Sequence, residues 1–183
     1  MHISIAGKLG SGKSTICNIL QERHGFTVYS TGAIHREIAM QQNISTLEMN
    51  QRLTKDATFD NEIDAAVTRI SVEKSDEVIV FDSRMAWKFA AHSFKVFVTV
   101  DPAEAARRVL GAGRGVVEEY TSLEDAQEKL IKRSLVENER FKQIYGVDNF
   151  DYANYDLVID STNATPGEMA DVIFEKYLEY VKA

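Results

Sequence analysis

A chain of 183 residues, 44% hydrophobic and 27% charged, has the size and make-up of one globular domain and excludes a disordered protein. Its net charge of -7, from 21 Lys+Arg against 28 Asp+Glu, excludes a sequence-independent binder of polymeric nucleic acid, which needs a basic face. A single cysteine, Cys17, excludes a disulfide framework and a cysteine-based zinc site, and no apolar run is long enough to cross a membrane, so a reducing, cytoplasmic setting is expected.

The first residues enter a strand pattern at once, with no basic leader segment. Short apolar runs at 2–6, 27–29, 77–81, 95–100 and 155–159 read as buried strands, rich in Val, Ile and Phe. Helical spacing lies between them. Residues 13–23 carry Ile16, Ile19 and Leu20 at helical intervals. Ser45 and Glu48 form a capping box opening a helix to about residue 58, and residues 61–75 place Ile63, Val67 and Ile70 on one side. Asp101–Pro102 and Thr165–Pro166 put a cap before a proline at the first helical position, and Glu168 completes a box with Thr165. Thr121 and Glu124 are read as the box that starts the longest helix, with Gly146 as its terminator. Strands alternating with helices predict an α/β fold: a doubly wound, five-stranded parallel sheet of the P-loop type, with helices on both faces. Two excursions, at about 31–76 and 107–145, exceed a minimal crossover. No surplus apolar stripe is visible, so a monomer is expected.

The run Gly7-Lys8-Leu9-Gly10-Ser11-Gly12-Lys13-Ser14 fits G-x-x-x-x-G-K-[ST] in full and joins the first strand to a helix. Glycines let the backbone turn its N–H groups on phosphate oxygens, and the helix N-terminus adds partial positive charge. Lys13 is placed to reach the β- and γ-phosphates of ATP, and the Ser14 hydroxyl to ligate Mg²⁺. Thr15 continues the loop into the helix. The strand at 77–81 ends in Asp82, a second candidate for the metal. A guanine-reading N-K-x-D motif is missing, which disfavours a GTPase.

Five of the ten arginines, Arg107, Arg108, Arg114, Arg133 and Arg140, lie between 107 and 140. Phosphoryl transfer between two anions needs such cations, because negative charge collects around the transferring group. Arg133 and Arg140 share a face of the predicted long helix, and Glu137 between them is placed to orient both guanidiniums.

Together these segments resemble the cytidylate kinase family, in its short branch without a long substrate-domain insertion. The likeness rests on residues 7–14, on Tyr29-Ser30-Thr31-Gly32-Ala33-Ile34-His35-Arg36, on Asp60-Asn61-Glu62-Ile63-Asp64, and on Asp82-Ser83-Arg84. It extends through Arg133 and Arg140 to Tyr145-Gly146-Val147-Asp148 and to residues 156–163. The resemblance implies one nucleoside monophosphate kinase domain. In it a monophosphate-binding part spans about 31–75 and a lid about 110–140. It implies ATP as donor, with Gly7, Gly10, Ser11, Gly12, Lys13, Ser14, Thr15 and Arg108 around it. Ser30, Thr31, Gly32, Arg36, Asp64 and Arg84 would border the acceptor nucleotide, Arg36 and Arg84 pairing with its phosphate. Arg133 and Arg140 would close from the lid, and Lys13, Arg84, Arg133 and Arg140 would stabilise the transferring group. Ser83, where many relatives carry Gly, and the glycine-rich stretch 111–115 depart from the pattern. The expected reaction is phosphorylation of CMP or dCMP. The alternatives are another small P-loop kinase (adenylate, shikimate or dephospho-coenzyme A kinase-like) and a non-catalytic ATP-binding regulatory module.

Overall fold

A computed structural model of the chain describes residues 1–32, 58–111 and 120–182. Five parallel strands form one sheet in the order β2-β3-β1-β4-β5: β1 His2–Gly7, β2 Thr27–Ser30, β3 Ile79–Asp82, β4 Ser93–Thr99 and β5 Leu157–Asp160. The helices are α1 Lys13–His24, α2 Thr58–Glu73, α3 Ala86–Phe89, α4 Pro102–Gly111, α5 Leu123–Tyr145 and α6 Pro166–Lys182.

Strand alternation sorts the core into two layers. Ile3, Ile5, Val80, Phe94, Val96 and Val98 face α1 and α6, meeting Ile16, Cys17, Leu20, Ala170 and Ile173. On the opposite face Ala6 and Phe97 pack with Met85, Trp87, Phe141 and Tyr155, while Ile79 and Phe81 pack with Val67 and Ala86. β1 and β3 are buried along their whole length, polar His2, Ser4 and Asp82 included. Central strands so covered place their C-terminal ends, and the loops beyond them, at one rim of the sheet, where ligands of open α/β sheets bind.

Local sequence accounts for most helix ends. Asp101 Oδ1 accepts from the N–H groups of Ala103 and Glu104 at 2.9 and 3.1 Å. Thr165 and Glu168 cap each other, Glu168 N–H donating to Thr165 Oγ1 at 3.2 Å and Thr165 N–H to Glu168 at 2.7 Å. Gly25 and Gly146 end α1 and α5 in the left-handed region.

Several details differ from the sequence reading. The cap of α5 is Ser122, which accepts from Asp125 N–H at 3.1 Å, while Asp125 reaches back to Thr121 N–H at 2.9 Å. Tandem Thr-Ser and Glu-Asp pairs offer two capping registers, and the chain takes the second. Tyr155 lies outside β5 because a 3-10 turn at Tyr152–Asn154 tucks its ring under the sheet, its hydroxyl donating to Asn149 O at 2.9 Å. α3 is too short for a periodicity to reveal. α2 begins at Thr58, ahead of 61. The helix expected at 45–58 falls almost wholly outside the described residues. The surface expectation also changes, since α5 exposes Ile131, Leu135 and Val136.

Candidate active site

The phosphate loop leaves β1 at the centre of the sheet. Gly7 has φ 149°, and a Cβ there would stand 2.3 Å from the Val98 carbonyl oxygen of β4; at Gly10, φ 75°, a Cβ would stand 2.9 Å from Ala105 of α4. Glycine at both positions is therefore a packing requirement as well as a conformational one. Lys8 N–H donates to Val98 O at 3.0 Å and Ser11 N–H to Lys8 O at 3.3 Å, so the loop closes on itself before α1 begins. Lys13 lies over this loop, its ammonium donating to Gly7 O at 3.0 Å and Lys8 O at 2.9 Å.

Parallel register brings a carboxylate beside the loop. Asp82 ends β3, paired with Ile5 of β1 on one side and Ser30 of β2 on the other. Ser14 Oγ donates to Asp82 Oδ2 at 2.7 Å, and Ser30 Oγ to the same oxygen at 3.1 Å. Thr31 Oγ1 donates to the Asp82 carbonyl at 3.4 Å. One carboxylate and a hydroxyl suit a hard cation such as magnesium, which takes few protein ligands and completes its shell with water and phosphate. Among the described residues no cluster of three or more His, Cys, Asp or Glu offers a softer or all-protein metal site. Cys17 does not compete: burial on the face of α1 that meets the sheet pushes its thiol well up, and the Asp82 charge adds to that.

One cleft gathers most of the residues singled out from sequence. Gly10, Ser11, Gly12, Lys13, Ser14 and Thr15 form one wall; Thr31, Gly32, Asp64, Asp82 and Arg84 follow; Arg133 and Arg140 descend from α5. Gly7 and Ser30 stand behind this lining. Arg108 is fastened elsewhere, with Nε on Glu104 at 2.8 Å and Nη2 on Ser161 O at 2.6 Å. Arg36 and Arg114 lie outside the described residues.

The cleft also contains what sequence reasoning did not pair correctly. Glu137 of α5 is ion-paired with Arg84 from the turn after β3, and accepts from Arg133 Nε at 3.1 Å. It thus ties a cation of the sheet rim to a cation of the long helix. The Arg140 guanidinium, one turn further along the same helix, lies 5.3 Å from the Phe141 ring. Asp64, 6% exposed on α2, accepts a hydrogen bond from the Tyr145 hydroxyl at the far end of α5. The helical spacing of Arg133, Glu137 and Arg140 was readable. Their tertiary partners were not.

A buried strut holds α5 in place. Trp87 Nε1 donates to Asn149 Oδ1 at 2.7 Å, and Asn149 N–H donates to Asn138 Oδ1 at 2.8 Å. Asn138 Nδ2 donates to Asp148 at 2.9 Å. Lys142, Asn138 and the Phe150 N–H together hold the Asp148 carboxyl down at about 2. Trp87 is therefore a packing residue, and the Tyr145–Asp148 segment is the footing of the arginine-bearing helix.

The model of the cytidylate kinase-like family matches residues 2–163. The chain belongs to that family. The cytidylate kinase of Thermoplasma acidophilum is 32% identical over 174 residues, 93% of this chain and 88% of that protein. That of Sulfurisphaera tokodaii is 32% identical over 184 residues, covering 100% of this chain and 98% of the other. An S-adenosylmethionine-dependent nucleotide dehydratase of Lacinutrix mariniflava is 34% identical over 177 residues, 96% of this chain, but the chain spans only 35% of that protein's length. Among solved structures, an uncharacterized protein of Eubacterium ventriosum superposes with TM-score 0.67 at 18% identity, covering 98% of both chains. The deoxyadenosine kinase of M. mycoides, solved with its products dCMP and dCDP, gives TM-score 0.54 at 18% identity, covering 98% of this chain and 100% of the other. At those identities the structures speak for the fold, which is that of P-loop kinases.

Proposed function

We propose that the protein transfers the γ-phosphoryl group of ATP to a nucleoside monophosphate, with CMP or dCMP as acceptor. The observation that carries this reading is the single cleft in which the phosphate loop, with Lys13, Ser14 and Asp82, faces the arginines Arg84, Arg133 and Arg140. A site for one anion needs the first set only. A second set of cations opposite it calls for a second anion, and a phosphomonoester is the anion that a guanidinium fork fits.

In this reading an acceptor phosphate oxygen attacks the γ-phosphorus, the bond from that phosphorus to the β–γ bridging oxygen breaks, and ADP leaves. The acceptor oxygen is already anionic near neutral pH, so no general base is required. Catalysis comes from alignment and charge neutralisation. Lys13 neutralises the β- and γ-phosphates, and Arg84, Arg133 and Arg140 hold the acceptor phosphate and the transferring group. Glu137 keeps Arg84 and Arg133 at a fixed separation. Ser30, Thr31, Gly32 and Asp64 border the acceptor nucleotide, and Arg36 is assigned with Arg84 to its phosphate. Magnesium, when bound by Ser14 and Asp82, screens charge on the donor phosphates. The part at 31–75 serves as the acceptor-binding arm and the part at 110–140 as the lid that excludes water from the transfer.

The distinguishing experiment is a coupled assay of ADP formation across CMP, dCMP, UMP, AMP, shikimate and dephospho-coenzyme A. The expected result is the highest kcat/KM with CMP or dCMP. A higher kcat/KM with any other acceptor transfers the reading to that kinase class. Mg-ATP binding without turnover on any of them would identify a regulatory module.

A second, compatible reading comes from the Lacinutrix relative, in which a matching stretch makes up about a third of a nucleotide dehydratase. We infer that a unit of this kind can supply phosphorylated nucleotide to an enzyme that modifies it. A kinase that turns over CMP in isolation and accelerates such an enzyme supplied with CMP and ATP fits this role; no acceleration would remove it.

A further inference from the structure

We propose that Ser161, held by Arg108, is the positioning residue that sets the phosphate loop for the ATP phosphates. The proposal rests on the reading of the cleft as an ATP site. Ser161 follows β5 and is 2% exposed. Its hydroxyl stands 3.0 Å from the carbonyl oxygen of Ser11 and 3.0 Å from that of Thr99. The Thr99 oxygen already accepts the Ser161 backbone N–H at 3.0 Å. A hydroxyl has one proton to give. Ser11 O is the acceptor that the Ser161 backbone leaves unserved, and Ser11 is itself 1% exposed, where an unmet carbonyl is costly.

The consequence is directional. The peptide between Ser11 and Gly12 is planar and trans, so its C=O and N–H point opposite ways. Fastening Ser11 O to Ser161 aims the Gly12 N–H away from Ser161, at the start of α1. Ser11 and Gly12 both line the cleft. Phosphate loops bind through the orientation of such N–H groups, so the tilt of this one peptide bears on ATP affinity.

Arg108 completes the device. Its Nη1 donates to Ser161 Oγ at 3.2 Å, and its Nη2 to Ser161 O at 2.6 Å and Thr162 O at 3.2 Å. Its Nε is held by Glu104 at 2.8 Å. A cationic donor on the hydroxyl oxygen fixes the rotor and strengthens the bond the hydroxyl gives to Ser11. Arg108 therefore serves the donor site through Ser161, as a positioning residue, rather than as a ligand of phosphate.

The test measures Mg-ATP and CMP binding separately by titration calorimetry, with kcat alongside, for Ser161→Ala, Arg108→Met and the double variant. Ser161→Ala is expected to weaken Mg-ATP binding roughly tenfold, in line with a buried acceptor losing its donor, and to change CMP binding less than twofold. Arg108→Met is expected to lose part of the same factor. The double variant should bind ATP no more weakly than Ser161→Ala, because both act on one bond. Wild-type ATP affinity in Ser161→Ala would overturn the proposal, and so would losses that multiply in the double variant, which would make Arg108 a direct ATP ligand. Should Ser161→Ala fail to fold, Ser161→Cys, whose thiol is a weak donor, replaces it in the cycle with Arg108→Met: a loss confined to ATP that the double variant does not deepen supports the proposal, and wild-type ATP affinity or losses that multiply overturn it. A wild-type protein that does not bind Mg-ATP would overturn the reading of the cleft itself.

Discussion

The two walls of the cleft, which we read as its donor and acceptor sides, are built in different ways. The donor wall is one continuous stretch, Gly7 to Thr15, shaped by glycines whose missing Cβ atoms make room for Val98 and Ala105. The acceptor wall is assembled from four pieces far apart in sequence: the segment after β2 with Thr31 and Gly32, α2 with Asp64, the turn after β3 with Arg84, and α5 with Arg133 and Glu137. The first is fixed by local backbone conformation. The second exists only when long side chains from separate elements meet, through Glu137 with Arg84 and Arg133 and through Tyr145 with Asp64. One wall is thus set by a contiguous motif, the other by tertiary pairs.

Variants can break or sharpen that contrast. The largest effect is expected at Lys13→Ala, which removes a cation from the loop together with its hydrogen bonds to Gly7 O and Lys8 O. Transfer should fall about 10²- to 10³-fold, as for loss of one preorganised charge-stabilising donor, with the melting temperature nearly unchanged. Near-normal turnover would remove the donor wall from the account. Glu137→Gln should act on the opposite wall, raising the KM for CMP roughly tenfold while the KM for ATP moves less than twofold, because an amide holds two guanidiniums less firmly than a carboxylate. Equal changes in both constants would mean that the walls are not separable. Tyr145→Phe removes one hydrogen bond to Asp64 and should raise the KM for CMP about three- to fivefold. The smallest effect concerns the footing of α5. The Asp148 carboxyl is held at about 2 against an ordinary 3.8, so its charge stabilises the fold above the higher value and that contribution is lost as pH falls toward the lower. Asp148→Asn should lower the melting temperature at pH 7, and the difference from wild type should vanish as pH approaches 2. A difference independent of pH would assign the effect to packing.

The same contrast explains what was readable from the chain. The strands were legible as short runs rich in Val, Ile and Phe between helical segments, and the phosphate loop because its residues are contiguous. Caps at Asp101 and Thr165 were legible because capping is local. At α5 the Thr-Ser-Leu-Glu-Asp run carried two capping registers, and only the docked helix chooses between them. Arg133 and Glu137 lie four residues apart, so their common face was visible. That Arg84 would be the other partner of Glu137 was not, because nothing local links the β3 turn to α5. Tyr145 lies 81 residues from Asp64, and only the docking of α5 across α2 joins them. Arg108 was placed near ATP by the family resemblance; its contacts to Glu104 and to the β5–α6 loop at Ser161 could not be read from the chain. Pairing across the fold, more than residue type, was the information missing.

The central claim is that the two walls pass one phosphoryl group between them. Its most direct measurement follows label from γ-³²P-ATP incubated with the wild-type protein, magnesium and CMP. The account predicts labelled CDP formed in step with ADP, little labelled inorganic phosphate, and neither product in quantity when CMP is left out. Labelled inorganic phosphate as the main product, or bound ATP whose label reaches no acceptor, would contradict it.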